Sequence, residues 1–419
     1  MDSTPALNWQ TPFNAQHIAE VQKQYFHQPV NREHSFSEKY DLRKRLFGTE
    51  QVIPLWVADM DLPTPPFIIE TLSQRLQHPI LGYNLMPNQA YQAIIDWQAQ
   101  HDYVIDEKEI CFTHNVANGF HLAIQAATQP GDSVLVMTPV YPPFMSAAEK
   151  NGRNTCFFEL SKSVNDSLID YHIDFQALEQ QLKTSKIKAL LFCHPHNPVG
   201  RVWSQNELLK LAELCLKYQV VVISDEIHSD LILTGRHIPL ASLSQEIAQN
   251  TITLSSPGKT FNLGGLHIGY AVIANPSQRQ KFAAASQAAS ILELNTFALH
   301  ALIAAYSPAG KNWTLALLAH IENNILRFQQ FLKQFAPEVK FIQPQATYLL
   351  WVDFSAWGWS QPKLNAWLVK EAKLGLSNGD AFFPASTENT GFMRINLAVS
   401  QQTFEQILLQ LEHALTHRP

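Results

Sequence analysis

The chain has 419 residues, of which 46% are hydrophobic, and this suits two or three domains or one large α/β unit with a sizeable core. Its formal net charge of −6 is modest and its basic residues are scattered, which argues against nucleic acid or an anionic membrane surface as a partner. No apolar run approaches the roughly 18 to 20 residues of a membrane span, and the amino terminus lacks a signal pattern. We therefore expect a soluble protein of the cytoplasm.

The cysteines and histidines give no sign of a disulfide framework or a metal site. Four cysteines occur without CxxC spacing, which is typical of a reducing cytoplasm. Of the seventeen histidines, His194 and His196 form an HxH pair, but no third or fourth ligand follows at metal-site spacing. We expect no metal.

Short apolar runs of strand length alternate with longer segments of helical period over the middle of the chain. Such alternation predicts βαβ units and a mostly parallel sheet that helices cover on both faces. The helical segment 204–217 begins with Ser204 and has Glu207 three residues later, which predicts a capping box. The predicted strands are 133–137, 189–193, 220–224, 251–254 and 270–273.

The pattern changes after residue 276 to long helical stretches, 277–306 and 313–335, and then to a mixed α/β tail. The first fifty residues contain no clear sheet unit. We therefore predict a large domain over residues 51–300 and a smaller α/β domain made of residues 1–50 and 301–419.

Polar residues that directly follow the predicted strands are the first candidates for chemistry, because ligands of parallel sheets bind at the carboxyl ends of strands. Asn197, Asp225 and Lys259 have this position. An asparagine amide donates to a phenolate oxygen, an aspartate keeps a pyridine nitrogen protonated, and a lysine amine forms an imine with an aldehyde. Together these groups suit pyridoxal 5′-phosphate.

Five blocks of the sequence, 55–61, 138–144, 195–203, 224–229 and 259–263, carry a resemblance to a known family. In residue type and order they resemble the pyridoxal-phosphate enzymes of the aminotransferase class I/II superfamily. Within it the chain is most similar to the cystathionine β-lyase branch, the carbon–sulfur lyases of the MalY/PatB type. The resemblance implies the fold type I architecture, with a mostly parallel central sheet flanked by helices in a large domain and a smaller α/β domain.

The resemblance also implies a role for each matching residue. Lys259 would be the Schiff-base lysine and Asp225 the partner of the ring nitrogen, while Tyr141 would stack on the ring and take part in catalysis. Asn197 would donate to the ring oxygen, and Arg394 would bind the substrate α-carboxylate through paired hydrogen bonds. The remaining cofactor contacts would be Ser256, the backbone N–H groups of Val116 and Ala117 at a helix start, His228, and Tyr83 from the other subunit of a homodimer.

Some positions depart from the wider aminotransferase pattern. His267 stands eight residues after the lysine, where many aminotransferases have arginine, and His228 stands three after the aspartate, where many have tyrosine. Both departures favour the lyase branch. His194 and Gly258 differ from the lyases, which commonly have asparagine and serine there.

Simpler roles remain open for the same residues. Lysines are mostly solvated, an aspartate after a strand often caps a turn, and arginines form structural ion pairs. Tyr141 lies among prolines, where aromatic packing alone would explain it. Tyr348, Trp351 and Phe36 are further candidates for the substrate pocket.

The leading hypothesis is β-elimination from L-cystathionine or a related cysteine thioether, which yields a thiol, pyruvate and ammonia. An aminotransferase would use the same residues and differ in where the Cα proton goes, so the sequence separates the two reactions poorly. A third hypothesis is a regulatory binding protein with residual lyase activity.

Overall fold

The computed structural model describes residues 7–291 and 293–418. Its helices are α1 (Ala15–Val21), α2 (Glu38–Asp41), α3 (Arg43–Phe47), α4 (Pro66–Leu76), α5 (Asn88–Ala99), α6 (Val116–Ala127), α7 (Pro142–Lys150), α8 (Phe175–Thr184), α9 (Gln205–Lys217), α10 (Gln245–Gln249), α11 (Pro276–Ala288), α12 (Thr296–Ala305), α13 (Pro308–Phe335), α14 (Gln361–Lys370) and α15 (Gln401–Thr416).

The strands form a sheet of seven, a sheet of six and a single pair. They are β1 (Ile53–Pro54), β2 (Ile110–Thr113), β3 (Ser133–Thr138), β4 (Asn154–Glu159), β5 (Ser161–Asn165), β6 (Leu168–His172), β7 (Ile187–Cys193), β8 (Val221–Asp225), β9 (Thr251–Ser255), β10 (Gly269–Val272), β11 (Lys340–Ile342), β12 (Leu349–Asp353), β13 (Leu374–Gly375), β14 (Ser377–Asn378) and β15 (Phe392–Asn396).

The seven-stranded sheet has the order β2-β10-β9-β8-β7-β3-β4. The five strands from β9 to β4 run parallel to one another, whereas β10 is antiparallel to both β9 and β2. All five strands predicted from the apolar runs are present, with bounds that differ by one or two residues. The prediction of a mostly parallel α/β sheet is confirmed.

Both faces of this sheet are buried, as an all-apolar strand requires. Successive side chains of a strand point to opposite faces, and β3 shows this division clearly. Val134 and Val136 pack with Phe120 of α6, whereas Leu135 and Met137 belong to a second core cluster on the other face.

Helix α9 begins as its sequence predicts. The Ser204 hydroxyl accepts a hydrogen bond from the Glu207 N–H, and the Glu207 carboxylate accepts one from the Ser204 N–H at 2.8 Å. Its buried face is made of Leu208, Leu211 and Ala212, together with Cys215. The reciprocal cap fixes where the helix starts after the loop that carries Asn197.

The helical stretch predicted over 277–306 is wrong in its continuity, because the structure contains two helices, α11 and α12. Asn295 caps α12 by accepting a hydrogen bond from the Ala298 N–H at 2.9 Å, and its amide donates to the Leu266 carbonyl at 3.0 Å. The second contact ties the start of α12 to the loop after Lys259. This tie is tertiary, so the helical period of the sequence does not reveal it.

The six-stranded sheet has the order β14-β15-β12-β11-β6-β5. Four of its strands come from the carboxy-terminal part of the chain, but β5 and β6 lie within the range predicted for the large domain. The amino-terminal part of the chain contacts α13, where Asn312 donates hydrogen bonds to the carbonyls of Trp9 and Thr11. The amino-terminal residues therefore pack on α13, and the division at residues 50 and 300 stays a prediction.

Residues 55–61, here called the 55–61 segment, run between the two large sheets. At its start the Leu55 N–H donates to Gly375 and the Leu55 carbonyl accepts from the Asn396 N–H at 3.0 Å, and at its end the Asp61 N–H donates to Ala398 at 2.9 Å. These bonds hold the segment beside β15, whose central residue is Arg394.

Among the described helices, none is both long enough and apolar enough to span a bilayer.

Candidate active site

The parallel strands β7, β8 and β9 place three predicted site residues at one edge of the sheet. Asp225 is the last residue of β8, and its register partners are Cys193 at the end of β7 and Leu254 near the end of β9. Asn197 follows β7 by four residues and Lys259 follows β9 by four. The structure therefore brings Asn197, Asp225 and Lys259 together, as the strand pattern predicted.

The amine of Lys259 lies against the 55–61 segment and donates to the Ala58 carbonyl at 2.5 Å. Burial, helped by the positive charge of Arg394, lowers the pKa of Lys259 to about 8, against the opposing charges of Asp59 and Asp225. An amine with such a pKa is a much better nucleophile and base near neutral pH than a solvated lysine. These features do not fit a solvated surface lysine.

The carboxyl group of Asp225 is buried, and it accepts a hydrogen bond from the Ile227 N–H at 3.1 Å. Burial raises its pKa to about 7, while that hydrogen bond and the charge of Lys259 act in the opposite direction. A buried carboxylate of this kind gains stability from a cationic partner. Its turn hydrogen bond alone does not offset its desolvation.

Arg394 is a buried guanidinium that forms no ion pair with any described residue. It donates through Nη1 to the Asn197 amide oxygen at 3.1 Å and through Nη2 to the Trp56 carbonyl at 2.8 Å. Its Nε is buried without a hydrogen-bond partner, and burial lowers the pKa of Arg394 to about 10. These features are those of an anion-binding group, not of a structural ion pair.

Tyr141 and His228 lie beside this group. Burial raises the pKa of Tyr141, and the charge of Asp225 acts in the same direction, so the phenol lies in the field of that carboxylate. Burial lowers the pKa of His228 to about 3, with further lowering by Lys259 and Arg394, so the imidazole is neutral. Its Nδ1 is buried without a partner.

Ser256, Val116 and Ala117 lie where β9, β10 and the start of α6 meet. The Ser256 hydroxyl donates to the Ile268 carbonyl at 2.6 Å and accepts from the Gly258 N–H at 2.9 Å. Val116 is the first residue of α6. The backbone N–H groups of Val116 and Ala117 therefore lie in the first turn, where N–H groups have no hydrogen-bond partner within the helix. A Cβ at Gly269 would lie 2.7 Å from the Asn115 backbone, which shows how closely strand and helix start approach.

Tyr83 is fully exposed, in a surface loop that also exposes Ile80, Leu81 and Leu85. It lines a cavity of about 700 Å³ that also borders His114, Asn115 and His267. The cavity therefore adjoins the start of α6. His267 contacts the Asn115 side chain through Nδ1 at 3.2 Å.

The structure adds contacts that the sequence pattern did not identify. Tyr348 donates to the Ala58 carbonyl at 2.9 Å, the same atom that accepts from Lys259. Trp351 is fully buried against Phe392 in the core, and Phe36 is fully exposed. The sequence marked residues 55–61 as a block that resembles the family. Their contacts with Lys259 and Tyr348 depend on the fold, so the sequence did not reveal them.

No group of three or more potential metal ligands occurs among residues 7–291 and 293–418. The two histidines of the HxH pair bond the backbone. His194 and His196 each use Nε2 to bond a backbone carbonyl, those of Ile238 and Pro139 respectively, both at 2.9 Å.

Comparison with known proteins gives a consistent set of matches. The model of the family "Aminotransferase class I and II" matches residues 50–411. The cystathionine beta-lyase PatB of Bacillus subtilis is 40% identical over 382 residues, covering 91% of this chain and 97% of that protein. Protein MalY of Escherichia coli is 31% identical, covering 93% of this chain and 98% of that protein.

Two solved structures show the same likeness. Cystalysin from Treponema denticola, which contains a pyridoxal 5′-phosphate cofactor, matches with a TM-score of 0.88 and 34% identity over 93% of this chain and 98% of its own. The PLP-bound C-S lyase from Staphylococcus hominis matches with a TM-score of 0.84 and 30% identity over 94% and 98%.

The lowered pKa of Lys259 predicts a specific reactivity. In ligand-free protein, the rate at which a limiting amount of an amine-reactive reagent modifies Lys259 should increase with pH, with a midpoint near 8. The reason is that only the neutral amine reacts. Arg394→Met should raise this midpoint, since it removes a positive charge. Peptide mapping across a pH series measures both effects. A midpoint near the ordinary lysine value of roughly 10.4 would contradict the burial described for this amine.

Proposed function

The chain belongs to the aminotransferase class I and II family, and we propose that it is a pyridoxal-phosphate-dependent carbon–sulfur β-lyase. It cleaves the Cβ–S bond of L-cystathionine or related cysteine thioethers and yields a thiol, pyruvate and ammonia. The observation that carries the cofactor assignment is the Lys259–Asp225 pair at neighbouring strand ends. The choice of a lyase over an aminotransferase rests on the 40% identity to a cystathionine β-lyase over 91% of the chain.

The side chains fit pyridoxal phosphate at each end of the ring. Asp225 is a buried carboxylate that would form an ion pair with a protonated ring nitrogen. Such a cation would lower the pKa of Asp225 toward the ordinary range of an aspartate. Asn197 uses its amide oxygen for Arg394, which directs its Nδ2 hydrogens elsewhere and leaves them to donate to the ring oxygen. The start of α6 suits the phosphate, and the Ser256 hydroxyl would reach it by turning away from the Ile268 carbonyl, to which it donates in this structure.

The cofactor, when bound, withdraws electrons from the Cα of the substrate. Lys259 would hold the cofactor through its side-chain nitrogen and would become a free amine once the substrate amine replaced it. With its lowered pKa it then accepts the Cα proton as general base. Asp225 would hold the ring nitrogen in its protonated form, and Tyr141 would pack beside the ring.

Arg394 orients the substrate for this proton transfer. Its unpartnered Nε and its Nη groups bind the α-carboxylate, which supplies the anion that the buried guanidinium lacks. The Cα–H electron pair becomes the Cα–Cβ double bond, and the Cβ–S pair leaves with sulfur as thiolate. The three-carbon product takes up water and yields pyruvate and ammonia.

The protein is further proposed to be a homodimer of the cytoplasm, in which Tyr83 reaches the cofactor phosphate of the other subunit. The exposed side chains Ile80, Leu81, Tyr83 and Leu85 support an interface at this loop, because apolar groups clustered on a surface mark contact sites. Four free cysteines agree with a reducing compartment.

Product analysis tests the reaction. Protein supplied with pyridoxal phosphate should release pyruvate from L-cystathionine, and Lys259→Ala should lower the rate by at least about a hundredfold because the general base is lost. Pyruvate is measured with lactate dehydrogenase. Efficient amino transfer to a keto acid, without pyruvate, would show an aminotransferase instead.

Mixed dimers test the role of Tyr83. A dimer of one Tyr83→Phe chain and one Lys259→Ala chain contains one site with both an intact Lys259 and an intact Tyr83 from its partner. It should therefore have about half of the wild-type activity, above both parent variants. If Tyr83 serves its own chain, the mixed dimer has no intact site and gains nothing over the parents.

A further inference from the structure

The carbonyl oxygen of Ala58 is shared by two buried side chains. The Lys259 amine donates to it at 2.5 Å, and the Tyr348 hydroxyl donates to it at 2.9 Å. Neither the amine nor the hydroxyl makes another hydrogen bond with a residue that the structure describes. One backbone oxygen therefore anchors both the proposed general base and a tyrosine that has so far been given no part in the reaction.

The position of the Ala58 carbonyl is fixed from both sides. The side-chain amide of Asn396, a fully buried residue, donates to the Val57 carbonyl at 2.8 Å and to the Asp59 carbonyl at 2.6 Å. These two carbonyls flank that of Ala58 in the chain. The Ala58 oxygen is therefore held independently of Tyr348, and loss of the Tyr348 hydroxyl changes the bonding at this oxygen but not its position.

The hydroxyl of Tyr348 is a permanent donor. Tyr348 is fully buried, and its ring packs edge-on against His228 with the ring centroids 6.3 Å apart. Burial raises the pKa of Tyr348 well above its usual range, and the charge of Asp59 acts in the same direction, against that of Arg394. The hydroxyl therefore stays protonated throughout the pH range in which the Lys259 amine titrates.

Two donors on one carbonyl oxygen compete for it. The oxygen has two lone pairs, and Lys259 and Tyr348 together use both, so each donor weakens the bond of the other. A hydrogen bond from a charged donor is about twice as strong as one from a neutral donor. Sharing the oxygen therefore costs the ammonium form of Lys259 more than the neutral amine, which is the form that accepts the Cα proton.

We propose, resting on the lyase function above, that Tyr348 is a positioning residue for the general base. Its hydroxyl occupies the second lone pair of the Ala58 oxygen, so Lys259 is held there by a single weakened hydrogen bond that favours its neutral form. The nitrogen lone pair of the amine stays available for the substrate proton. That proton moves from Cα to Nζ, and the C–H electron pair stays with the substrate carbons.

Tyr348→Phe tests this role because it removes the hydroxyl and keeps the ring. In ligand-free protein, the pH midpoint for modification of Lys259 by an amine-reactive reagent should rise by about half a unit or more, the order expected when a charge-assisted hydrogen bond becomes stronger. Tyr348→meta-fluorotyrosine, which has a stronger hydrogen-bond donor, should lower the same midpoint. Peptide mapping across a pH series measures both changes. If Tyr348→Phe does not fold, the fluorotyrosine variant decides alone.

The same change has an expected effect on turnover. In protein supplied with pyridoxal phosphate, Tyr348→Phe should lower kcat for pyruvate release from L-cystathionine about threefold at pH 7, because a rise of half a unit in the pKa of Lys259 lowers the neutral fraction of the amine by that factor. The loss should shrink toward pH 9, where most of the amine is neutral in both proteins. KM should stay unchanged, since Arg394 keeps its contacts.

Tyr171→Phe is the matched control. Tyr171 is buried and its hydroxyl accepts from the Trp351 indole at 3.2 Å, so this variant loses a buried hydroxyl bond that does not involve Ala58. It should leave the midpoint of Lys259 modification near 8. An unchanged midpoint in the Tyr348 variants, a fall in Tyr348→Phe, or an equal rise in Tyr171→Phe would overturn the role of Tyr348. An absence of pyruvate from wild-type protein would overturn the lyase function instead, whereas the midpoints still decide whether Tyr348 acts on Lys259.

Discussion

The parallel register of β7, β8 and β9 is the constraint on which the site depends. It aligns Cys193, Asp225 and Leu254 across three neighbouring strands, so the residues that follow these strands meet at one edge. The strands are buried on both faces, and a shift of one residue would turn core side chains of one face onto the other. The same burial that fixes the register therefore fixes the separation of Lys259 from Asp225.

Low solvent access then sets the chemistry of these groups. Burial lowers the pKa of Lys259 to about 8, raises that of Asp225 to about 7 and lowers that of Arg394 to about 10. Each group is thus held where its charged form lacks solvent and a full set of partners. Such groups stabilise a bound molecule that supplies a ring cation for the aspartate and a carboxylate for the arginine. The 55–61 segment completes the enclosure through its carbonyl groups.

Local sequence signals predicted the elements and the residues at strand ends. Alternation of apolar runs gave the parallel sheet, and Ser204 with Glu207 gave the start of α9, because both depend on neighbours within a few residues. The bond of Asn197 to Arg394 joins residues 197 positions apart, and the approach of Lys259 to Ala58 joins residues 201 apart. Such contacts follow from the packing of the two sheets. So does the pairing of β6 with β11, which joins β5 and β6 to a sheet whose other strands come much later in the chain. The departures at His228 and His267 indicated a branch of the family, but not the neutral, buried state of His228.

If Lys259 holds pyridoxal phosphate opposite Asp225, the cofactor is covalently attached to this residue and to no other lysine. The most direct test is borohydride reduction of the protein with its cofactor, followed by mass spectrometry of the peptides. The reduced cofactor should be attached to the peptide that contains Lys259, and Lys259→Ala protein should acquire none. Attachment to another lysine, or none in cofactor-supplied wild-type protein, would contradict it.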